Sequence, residues 1–337
     1  MARPRGWNRI GSRRQPHYVD AGGNELSDPA ELERIRALVI PPAWRDVWIA
    51  RSPRAKVQAT GADSAGRTQY LYHPEFRKQR EALKYEKLIR FAEHLPELRA
   101  AMAEHIELSD FPEERVAAIA VRLINLAWFR VGSDRYTRRH RTFGITTLRK
   151  SHVAIRGERI TFAYRGKHGV AVRSAIVDRE LSAAVRELRE LPGPRLFRFE
   201  SGDGLSDLGA ARLNAYIRTY LGDEFTAKDF RTWGGTLVAA VALAESPVPE
   251  SEREAKKRIT AVMRVVGEKL GNTPAVARSS YVSPAVIEQY LEGRTIADFR
   301  PRHLRVVSAR DTELDPEEQA TLSLLRSWRI RSARAAA

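Results

Sequence analysis

Cysteine is absent from the 337-residue sequence, and histidine occurs only eight times. The first absence excludes disulfide bonds, thiolate nucleophiles and cysteine-bound zinc or iron–sulfur clusters. The histidines are scattered and form no HExxH or comparable metal-binding pattern, and no P-loop sequence is present. We therefore expect the protein to work without a metal ion or another cofactor.

Long hydrophobic runs are missing as well. No stretch approaches the ~18 apolar residues that a membrane helix requires, and the segment Met1–Trp7 has no apolar core of a secretory signal. With 43% hydrophobic and 30% charged residues, the composition is that of a globular protein with a substantial core. We expect one large or two modest domains, a cytoplasmic location and no membrane partner.

Negative charge is in deficit, because 58 Lys and Arg residues face 42 Asp and Glu residues, for a net charge of +16. Such an excess favours a polyanionic partner, since cationic side chains that neutralise phosphates release condensed counterions. A basic enzyme from an arginine-rich proteome remains an alternative on charge alone. The high arginine and alanine content suggests a GC-rich bacterial genome.

The first 75 or so residues have the pattern of a small, mostly β module. Short apolar stretches such as Val47–Ala50 and Gln69–Tyr72 lie between turns rich in Gly, Pro and Arg. Short apolar runs bounded by turn residues are typical of strands.

A long helical region follows. From Glu75 the sequence is charged and helical in pattern, with one helix predicted over Phe76–Ile106 and an apolar helix over Val116–Phe129. We place a domain boundary near residue 84, within or just before the first of these helices. The expected domains are a β-rich amino-terminal one, 1–84, and a catalytic one, 85–337.

Apolar residues alternate with other residues at period two in the segment 151–176. They are Val153, Ile155, Ile160, Phe162, Tyr164, Val170 and Val172, with turn residues at Gly157-Glu158 and Gly166–Gly169. This pattern predicts a three-stranded meander whose second hairpin tip carries Lys167. After Val177 the pattern is helical throughout.

Helix start and stop signals are clear near the end of this helical region. Ser251 and Glu254 form a capping box, and Gly271 is placed to end the same helix. Thr273-Pro274 and Ser283-Pro284 each combine an N-cap residue with a first-turn proline. Tyr281 is therefore predicted at or just past the end of a short helix.

Several segments could carry phosphoryl-transfer chemistry, although each has a structural explanation. The cationic run Asp134–Arg141 follows an apolar helix, whose dipole a solvated arginine face would complement. Lys167 could be an ordinary turn residue. An arginine in the first turns of a helix, as in Lys228–Thr232, opposes the dipole and needs an anionic neighbour, which Asp229 or Glu224 could supply.

Asn272 and Tyr281 could also have a purely structural role. Asn272 follows a helix-ending glycine and precedes Thr-Pro, which is a good position for a turn residue. Tyr281 could be a half-buried aromatic residue of the core.

The order of these residues carries more information than each alone. Arg135, Lys167, Arg231, Asn272 and Tyr281 resemble, in this order, the active site of type IB DNA topoisomerases, especially the compact poxvirus and bacterial forms. The resemblance covers roughly residues 15 to 295. The matching segments are Asp134–Tyr136 with Phe143–Leu148, Gly166-Lys167, Lys228–Thr232, Gly271–Pro274 and Ala277–Tyr281.

The resemblance implies a mechanism. Tyr281 would attack a DNA phosphodiester to give a 3′-phosphotyrosyl bond, and Arg135 and Arg231 would clamp the non-bridging oxygens. Lys167 would protonate the departing 5′-oxygen. Asn272 stands where the family most often has histidine, and its amide would donate a hydrogen bond without a titrating charge.

The segment Asp63–Tyr72 resembles the DNA-contacting strand of the same family. On a strand Arg67 and Gln69 share one face, and Tyr70 and Tyr72 share the other. Gln can contact adenine edges, and Arg and Tyr can hold phosphates or bases. The alternative is that the two tyrosines belong to the core. Tyr136 and Lys228 are further candidates for DNA contacts.

The sequence thus predicts an α+β protein that closes as a two-lobed, monomeric clamp around duplex DNA and relaxes supercoils without ATP or metal at the nucleoid. A tyrosine recombinase is the nearest alternative. Recombinases usually carry a histidine three residues before the second arginine, where this chain has Lys228, and a helical core-binding domain. A noncatalytic DNA-binding protein is the other alternative.

Overall fold

The computed structural model describes residues 5–12, 15–64, 66–202, 204–247, 249–300 and 312–336, apart from the side chains of 78–82 and 335–336. The chain divides into two compact units, Met1–Tyr85 and Glu86–Ala337. In the described part of the chain, no helix combines the length and the apolar character needed to cross a bilayer.

The first unit is built on a five-stranded antiparallel sheet of order β2-β1-β3-β4-β5. Its elements are β1 (Gly6–Gly11), β2 (Pro16–Val19), α1 (Pro29–Ala37), β3 (Arg45–Ala50), β4 (Val57–Ala62) and β5 (Thr68–Tyr72). The β-rich character is confirmed. The helix α1 was not predicted from the sequence. Asp28 caps this helix by accepting a hydrogen bond from the backbone N–H of Ala30 at 3.0 Å.

One face of this sheet carries the core of the unit. Buried residues are Leu26, Ile35, Val47, Ile49 and Ala59, and partly buried residues, Leu71 among them, pack against these. Because side chains alternate along a strand, Tyr70 and Tyr72 on β5 lie on the opposite face from Leu71.

The second unit is mainly helical. Its helices are the rest of α2 (Pro74–Ile106), α3 (Glu113–Ala127), α4 (Asp134–His140), α5 (Arg179–Glu190), α6 (Ala210–Leu221), α7 (Ala227–Ala244), α8 (Glu252–Leu270), α9 (Pro274–Ser280), α10 (Pro284–Leu291) and α11 (Pro316–Ala336). Its strands are β6 (Val153–Arg156), β7 (Arg159–Arg165), β8 (Ala171–Val177), β9 (Arg198–Ser201) and β10 (Gly204–Asp207). Together with the first unit this makes an α+β protein.

The predicted meander is confirmed, because β6, β7 and β8 form a three-stranded antiparallel sheet in that order. On β7 the residues Ile160, Phe162 and Tyr164 are buried and their neighbours are exposed. Lys167 lies in the short 3₁₀ turn Lys167–Gly169 that joins β7 to β8.

The expectation that only helices follow Val177 is wrong, because β9 and β10 form an antiparallel hairpin. Gly204 adopts a φ of +107°, a conformation that favours glycine. Phe197 and Phe199 are both buried, as the alternation of one apolar face predicts. Strands of four residues give too short a periodic signal to stand out from the helical sequence around them.

The expected helix caps near the site are present. Ser251 accepts a hydrogen bond from the N–H of Glu254 at the start of α8, and Gly271 ends α8 in the left-handed conformation at φ +59°. Thr273 caps α9 by accepting from the N–H of Val276. Gly271 and Thr273 thus fix the backbone on either side of Asn272, and α9 leads from Thr273 to Tyr281.

Candidate active site

Arg231 is buried in the second turn of α7, with only 5% of its surface exposed. Its guanidinium donates from Nη1 to the carbonyl oxygen of Trp128 at 2.5 Å and from Nη2 to that of Leu270 at 2.6 Å. Trp128 ends α3 and Leu270 ends α8, so both carbonyls lie at the negative ends of helix dipoles. Partial negative charge on two backbone oxygens thus takes the place of the anionic neighbour that this arginine was expected to need.

The two carboxylates that the sequence offered for this purpose have other partners. Asp229 accepts from Lys87 Nζ at 2.9 Å and completes a capping box with Thr226. Glu224 pairs with Arg90 at 2.9 Å. Arg231 therefore enters the site without a bound side-chain counterion among the described residues.

Arg130 is the second guanidinium of the cluster. Its Nη2 donates to the carbonyl oxygen of Gly271 at 2.9 Å and to Oδ1 of Asn272 at 2.7 Å. The backbone around it is also fixed, because the carbonyl oxygen of Arg130 accepts from the N–H of Ile145 at 2.8 Å. Burial and the charge of Arg231 lower the pKa of Arg130.

Tyr281 is the C-cap residue of α9 and is half-buried. Its N–H donates to the carbonyl oxygen of Ala277 at 3.0 Å, and its own carbonyl oxygen accepts from Thr236 Oγ1 at 3.2 Å. A Cβ atom on Gly235 would lie 2.9 Å from this same carbonyl oxygen. The glycine on α7 therefore permits the close approach of the tyrosine backbone.

The Tyr281 phenol lies in a positive field. The guanidinium carbon of Arg231 is 5.1 Å from the centre of the Tyr281 ring. Burial raises the pKa of the phenol, but the charges of Arg231, Arg130 and Lys228 outweigh it, and the net pKa is below the ordinary value. A phenolate, or negative charge developing on this oxygen, is stabilised here.

Asn272 is held by both its backbone and its side chain. Its N–H donates to the carbonyl oxygen of Gly267 at 2.7 Å, while Oδ1 accepts from Arg130. Its Nδ2 has one long contact of 3.3 Å, to the carbonyl oxygen of Leu270. The amide nitrogen is thus the group of Asn272 that remains available to donate.

Three of the five expected catalytic residues lie together in the structure, namely Tyr281, Arg231 and Asn272. Arg130, which was not among the five, lies with them through its hydrogen bond to Asn272. Arg135 lies elsewhere, exposed on α4. Among the described residues, no hydrogen bond or ion pair connects Arg135 to this cluster. Arg130, on the segment between α3 and α4, is the arginine that lies with Arg231 and Asn272, where we expected Arg135.

The two lysines lie at the edge of the cluster. Lys167 is exposed in its turn, and the neighbouring Gly166 lines a cleft that Arg130 and Arg231 also line. Lys228 is exposed in the first turn of α7 and acts on Tyr281 through its charge. The described residues contain no group of three His, Asp or Glu side chains that could hold a metal ion.

Comparison with known proteins identifies the family. A family model for the catalytic core of eukaryotic DNA topoisomerase I matches residues 73–298, and one for the N-terminal domain of bacterial DNA topoisomerase IB matches residues 16–63. The chain is 34% identical over 282 residues to DNA topoisomerase 1B of Acanthamoeba polyphaga mimivirus, a match that covers 81% of this chain and 83% of the viral protein. The chain belongs to the type IB DNA topoisomerases.

More distant relatives of the topoisomerase occur in poxviruses. DNA topoisomerase I of monkeypox virus is 23% identical, and DNA topoisomerase 1B of vaccinia virus (strain Copenhagen) is 22% identical, each over 68% of this chain and 70% of the viral protein. As a member of this family, the protein relaxes supercoiled DNA by transient cleavage and rejoining of one strand.

Arg130 is the site residue that the sequence reading of this topoisomerase missed. The signal for it was present in Phe129–Gly132, where an arginine lies three residues after the end of the apolar helix α3 and two residues before a glycine. Gly132 adopts φ +100°, so the chain turns immediately after this arginine. The prediction chose Arg135 instead, within the denser cationic run that begins at Asp134.

The expected DNA-contacting side chains of the topoisomerase lie on and next to β5. Arg67 pairs with Asp63 at 2.7 Å, and Gln69 donates to the same carboxylate at 2.9 Å. Tyr70 is 50% exposed and its ring stacks on that of Tyr72 at 5.9 Å. Since both tyrosines lie on the face opposite the core, the alternative that they are core residues is wrong.

The helix α4 carries Tyr136 and a run of exposed basic residues, and Arg195 ties it to the rest of the topoisomerase. Tyr136 is 43% exposed and stacks on His140 at 6.0 Å. Arg195 forms an ion pair with Asp134, the first residue of α4, and donates to the carbonyl oxygen of Thr146 at 3.1 Å. The position of α4 therefore depends on a residue about sixty positions away in the sequence.

Proposed function

We propose that Tyr281 is the nucleophile of this topoisomerase and that Arg130 and Arg231 clamp the non-bridging oxygens of the scissile phosphate. The observation that carries the proposal is the placement of the Arg231 guanidinium beside the Tyr281 ring, with Arg130 held at Asn272. Tyrosine is a weak nucleophile at neutral pH, since its reference pKa is about 10. The surrounding positive charges favour loss of the phenol proton and stabilise the transition state.

In the cleavage step the Tyr281 phenol oxygen bonds to phosphorus as the phenol proton passes to solvent water, and the bond from phosphorus to the 5′-oxygen breaks. Lys167 donates a proton to that 5′-oxygen, and Nδ2 of Asn272 donates a hydrogen bond to a non-bridging oxygen. The exposed turn position of Lys167 supports this role, because a side chain at a hairpin tip can reach a bound strand. Religation runs the same steps in reverse.

The 3′-phosphotyrosyl ester conserves the energy of the broken phosphodiester. Resealing by the free 5′-hydroxyl therefore needs no ATP, and the arginines supply the charge stabilisation that a metal ion would otherwise provide. We propose that the strand with the free end rotates between cleavage and religation, so that supercoils of either sign relax.

DNA binding is proposed to involve both units. In the first unit Arg67, Gln69, Tyr70 and Tyr72 are the proposed contacts, and the exposed ring of Tyr70, stacked on the half-buried Tyr72, supports a role in holding bases or sugars. In the second unit Tyr136 and Lys228 are proposed to contact DNA. We propose that the two units close as a clamp around the duplex. One copy of the chain then suffices, in the cytoplasm of a bacterium.

The test is relaxation of a negatively supercoiled plasmid in EDTA without ATP, with Tyr281→Phe as the matched variant. Wild-type relaxation with no activity and no covalent adduct in Tyr281→Phe is the expected result. Tyr281→Phe should bind DNA almost as tightly as wild type, since the ring is kept. Adducts of equal yield in both proteins would refute the nucleophile assignment.

The two alternatives give different results in related assays. A recombinase would join strands between separate duplex sites and leave a single plasmid unrelaxed. A noncatalytic DNA-binding protein would bind DNA tightly and form no covalent adduct at all. Lys228, where recombinases usually have histidine, counts against the first, and the field around Tyr281 counts against the second.

A further inference from the structure

A second tyrosine, Tyr164, lies near the guanidinium groups of Arg130 and Arg231. Tyr164, the sixth residue of β7, lines a cleft of about 170 Å³ together with Arg130, Arg231, Gly166 and Gly271. Burial raises the pKa of its phenol, and the phenol is close enough to both guanidinium groups for their charges to oppose that rise. Two phenols therefore flank the same pair of arginines, one on α9 and one on the meander.

The side chain of Tyr164 is fixed but its hydroxyl is not satisfied. The ring centre lies 6.1 Å from that of Phe129 and 6.1 Å from that of His152, and only 9% of the residue is exposed. Among the described residues, the Tyr164 hydroxyl has no hydrogen-bond partner. The hydroxyl oxygen is not among the fully buried polar atoms that lack a partner, so it is accessible to a ligand that enters the cleft.

The pKa values of the two phenols are shifted in opposite directions. Burial is the largest influence on Tyr164 and raises its pKa well above the ordinary value, despite the opposing charges of Arg130 and Arg231. For Tyr281 burial also raises the pKa, but the charges of Arg231, Arg130 and Lys228 outweigh burial, and the pKa is lowered. Tyr164 is therefore the phenol that holds its proton more firmly and can act as an O–H donor, whereas Tyr281 loses its proton more easily than an ordinary tyrosine.

We propose that the Tyr164 hydroxyl donates a hydrogen bond to a non-bridging oxygen of the scissile phosphate, as a further catalytic residue beside Arg130 and Arg231. The inference rests on the proposed function, because it takes the ligand of the two arginines to be that phosphate. A neutral donor suits this position, since it adds a hydrogen bond without adding to the repulsion between two adjacent guanidinium groups. Tyr164 keeps its proton and forms no covalent bond.

The first experiment measures single-turnover covalent adduct formation on a duplex with one cleavage site. Tyr164→Phe keeps the ring and its packing and removes only the hydroxyl. Tyr216→Phe is the matched control, because that buried hydroxyl bonds His105 at 2.9 Å and lies outside the cleft. We expect cleavage by Tyr164→Phe to slow by about 10-fold or more, with DNA affinity unchanged, and cleavage by Tyr216→Phe to stay near wild type.

The second experiment uses DNA with a methylphosphonate at the scissile position, made separately as each diastereomer. One non-bridging oxygen is replaced by methyl in each. We expect the ratio of wild-type to Tyr164→Phe rates to fall to about one for the diastereomer that lacks the oxygen contacted by Tyr164, and to persist for the other. A purely structural role would lower both rates by the same factor.

The outcomes separate the inference from the function on which it rests. If wild type forms adducts and Tyr164→Phe matches it, or loses the same factor on both diastereomers, Tyr164 does not contact the phosphate and only the inference is overturned. If wild type forms no adduct on any duplex while binding it, the proposed function itself fails and the inference with it. If Tyr164→Phe melts at a lower temperature than wild type, the comparison of the two diastereomers still decides the question. A general loss of stability would lower the rates on both diastereomers by the same factor.

Discussion

Arg130 donates from Nη2 to Oδ1 of Asn272 at 2.7 Å, which sets the orientation of the asparagine amide. With the oxygen bound to the guanidinium, the nitrogen Nδ2 remains as the donor. The same contact holds Arg130 beside the end of α8, because its Nη2 also reaches the carbonyl oxygen of Gly271. The two residues therefore position each other at the candidate site.

Arg130, and not Arg135, should be required for cleavage. We expect Arg130→Ala to slow single-turnover adduct formation by on the order of 10²-fold or more, as loss of one oxyanion donor typically does. Arg135→Ala removes an equal charge from exposed α4 and should change the chemical rate by no more than a factor of a few. Both rates are measured at saturating DNA, so that weaker binding does not enter. Equal losses in the two variants would remove Arg130 from the proposed clamp.

Asn272 should make the enzyme insensitive to one source of pH dependence. An amide does not titrate, whereas histidine changes charge between about pH 5 and 8. We expect Asn272→His to cleave DNA but to show a titration in this range that wild type lacks. The neighbouring charge of Arg130 should place the midpoint below the usual histidine pKa. Rate–pH profiles of the same shape in both proteins would show that this side chain does not act on the reacting phosphate.

Lys228 should tune the Tyr281 phenol. Its charge helps to lower the pKa of Tyr281, so Lys228→Ala should let that pKa rise. Because the phenol must lose its proton to attack, the rising limb of the rate–pH profile should move to higher pH. Lys228→Arg keeps the charge and should leave the limb in place. An unshifted limb in Lys228→Ala would mean that this exposed lysine serves DNA binding alone.

Arg195 should hold α4 in place. Its ion pair with Asp134 and its bond to the Thr146 carbonyl connect the helix to the rest of the unit. We expect Arg195→Ala to speed tryptic cleavage after Arg138 and Arg139 on α4, and to weaken DNA binding.

Arg198→Ala is the control for this prediction. Arg198 shares the partner Asp207 with Arg195. Among the described residues, however, it forms no hydrogen bond or ion pair with α4. Tryptic cleavage within α4 at the same rate in both variants would show that Arg195 does not fix the helix.

Much of the local structure could be predicted from the sequence. The meander follows from a period-two pattern over more than twenty residues, and the ends of α8 and α9 follow from Ser251, Gly271 and Thr273. In each case the deciding interactions are local, since the caps act within a few residues and each strand of the meander pairs with the next strand along the chain. The short hairpin of β9 and β10 was not predicted, because a four-residue strand is too short to show a clear periodic pattern.

The sequence by itself determined the residue types, their order and the local elements that carry them, including a tyrosine at the end of a short helix and a lysine at a hairpin tip. Only the tertiary structure decided which arginine joins Arg231 at Tyr281, and that Tyr164 lies beside both. The physical reason is that these contacts are non-local. Arg130 is held by a carbonyl and an amide 141 and 142 residues further along the chain, and no local pattern encodes such a distance.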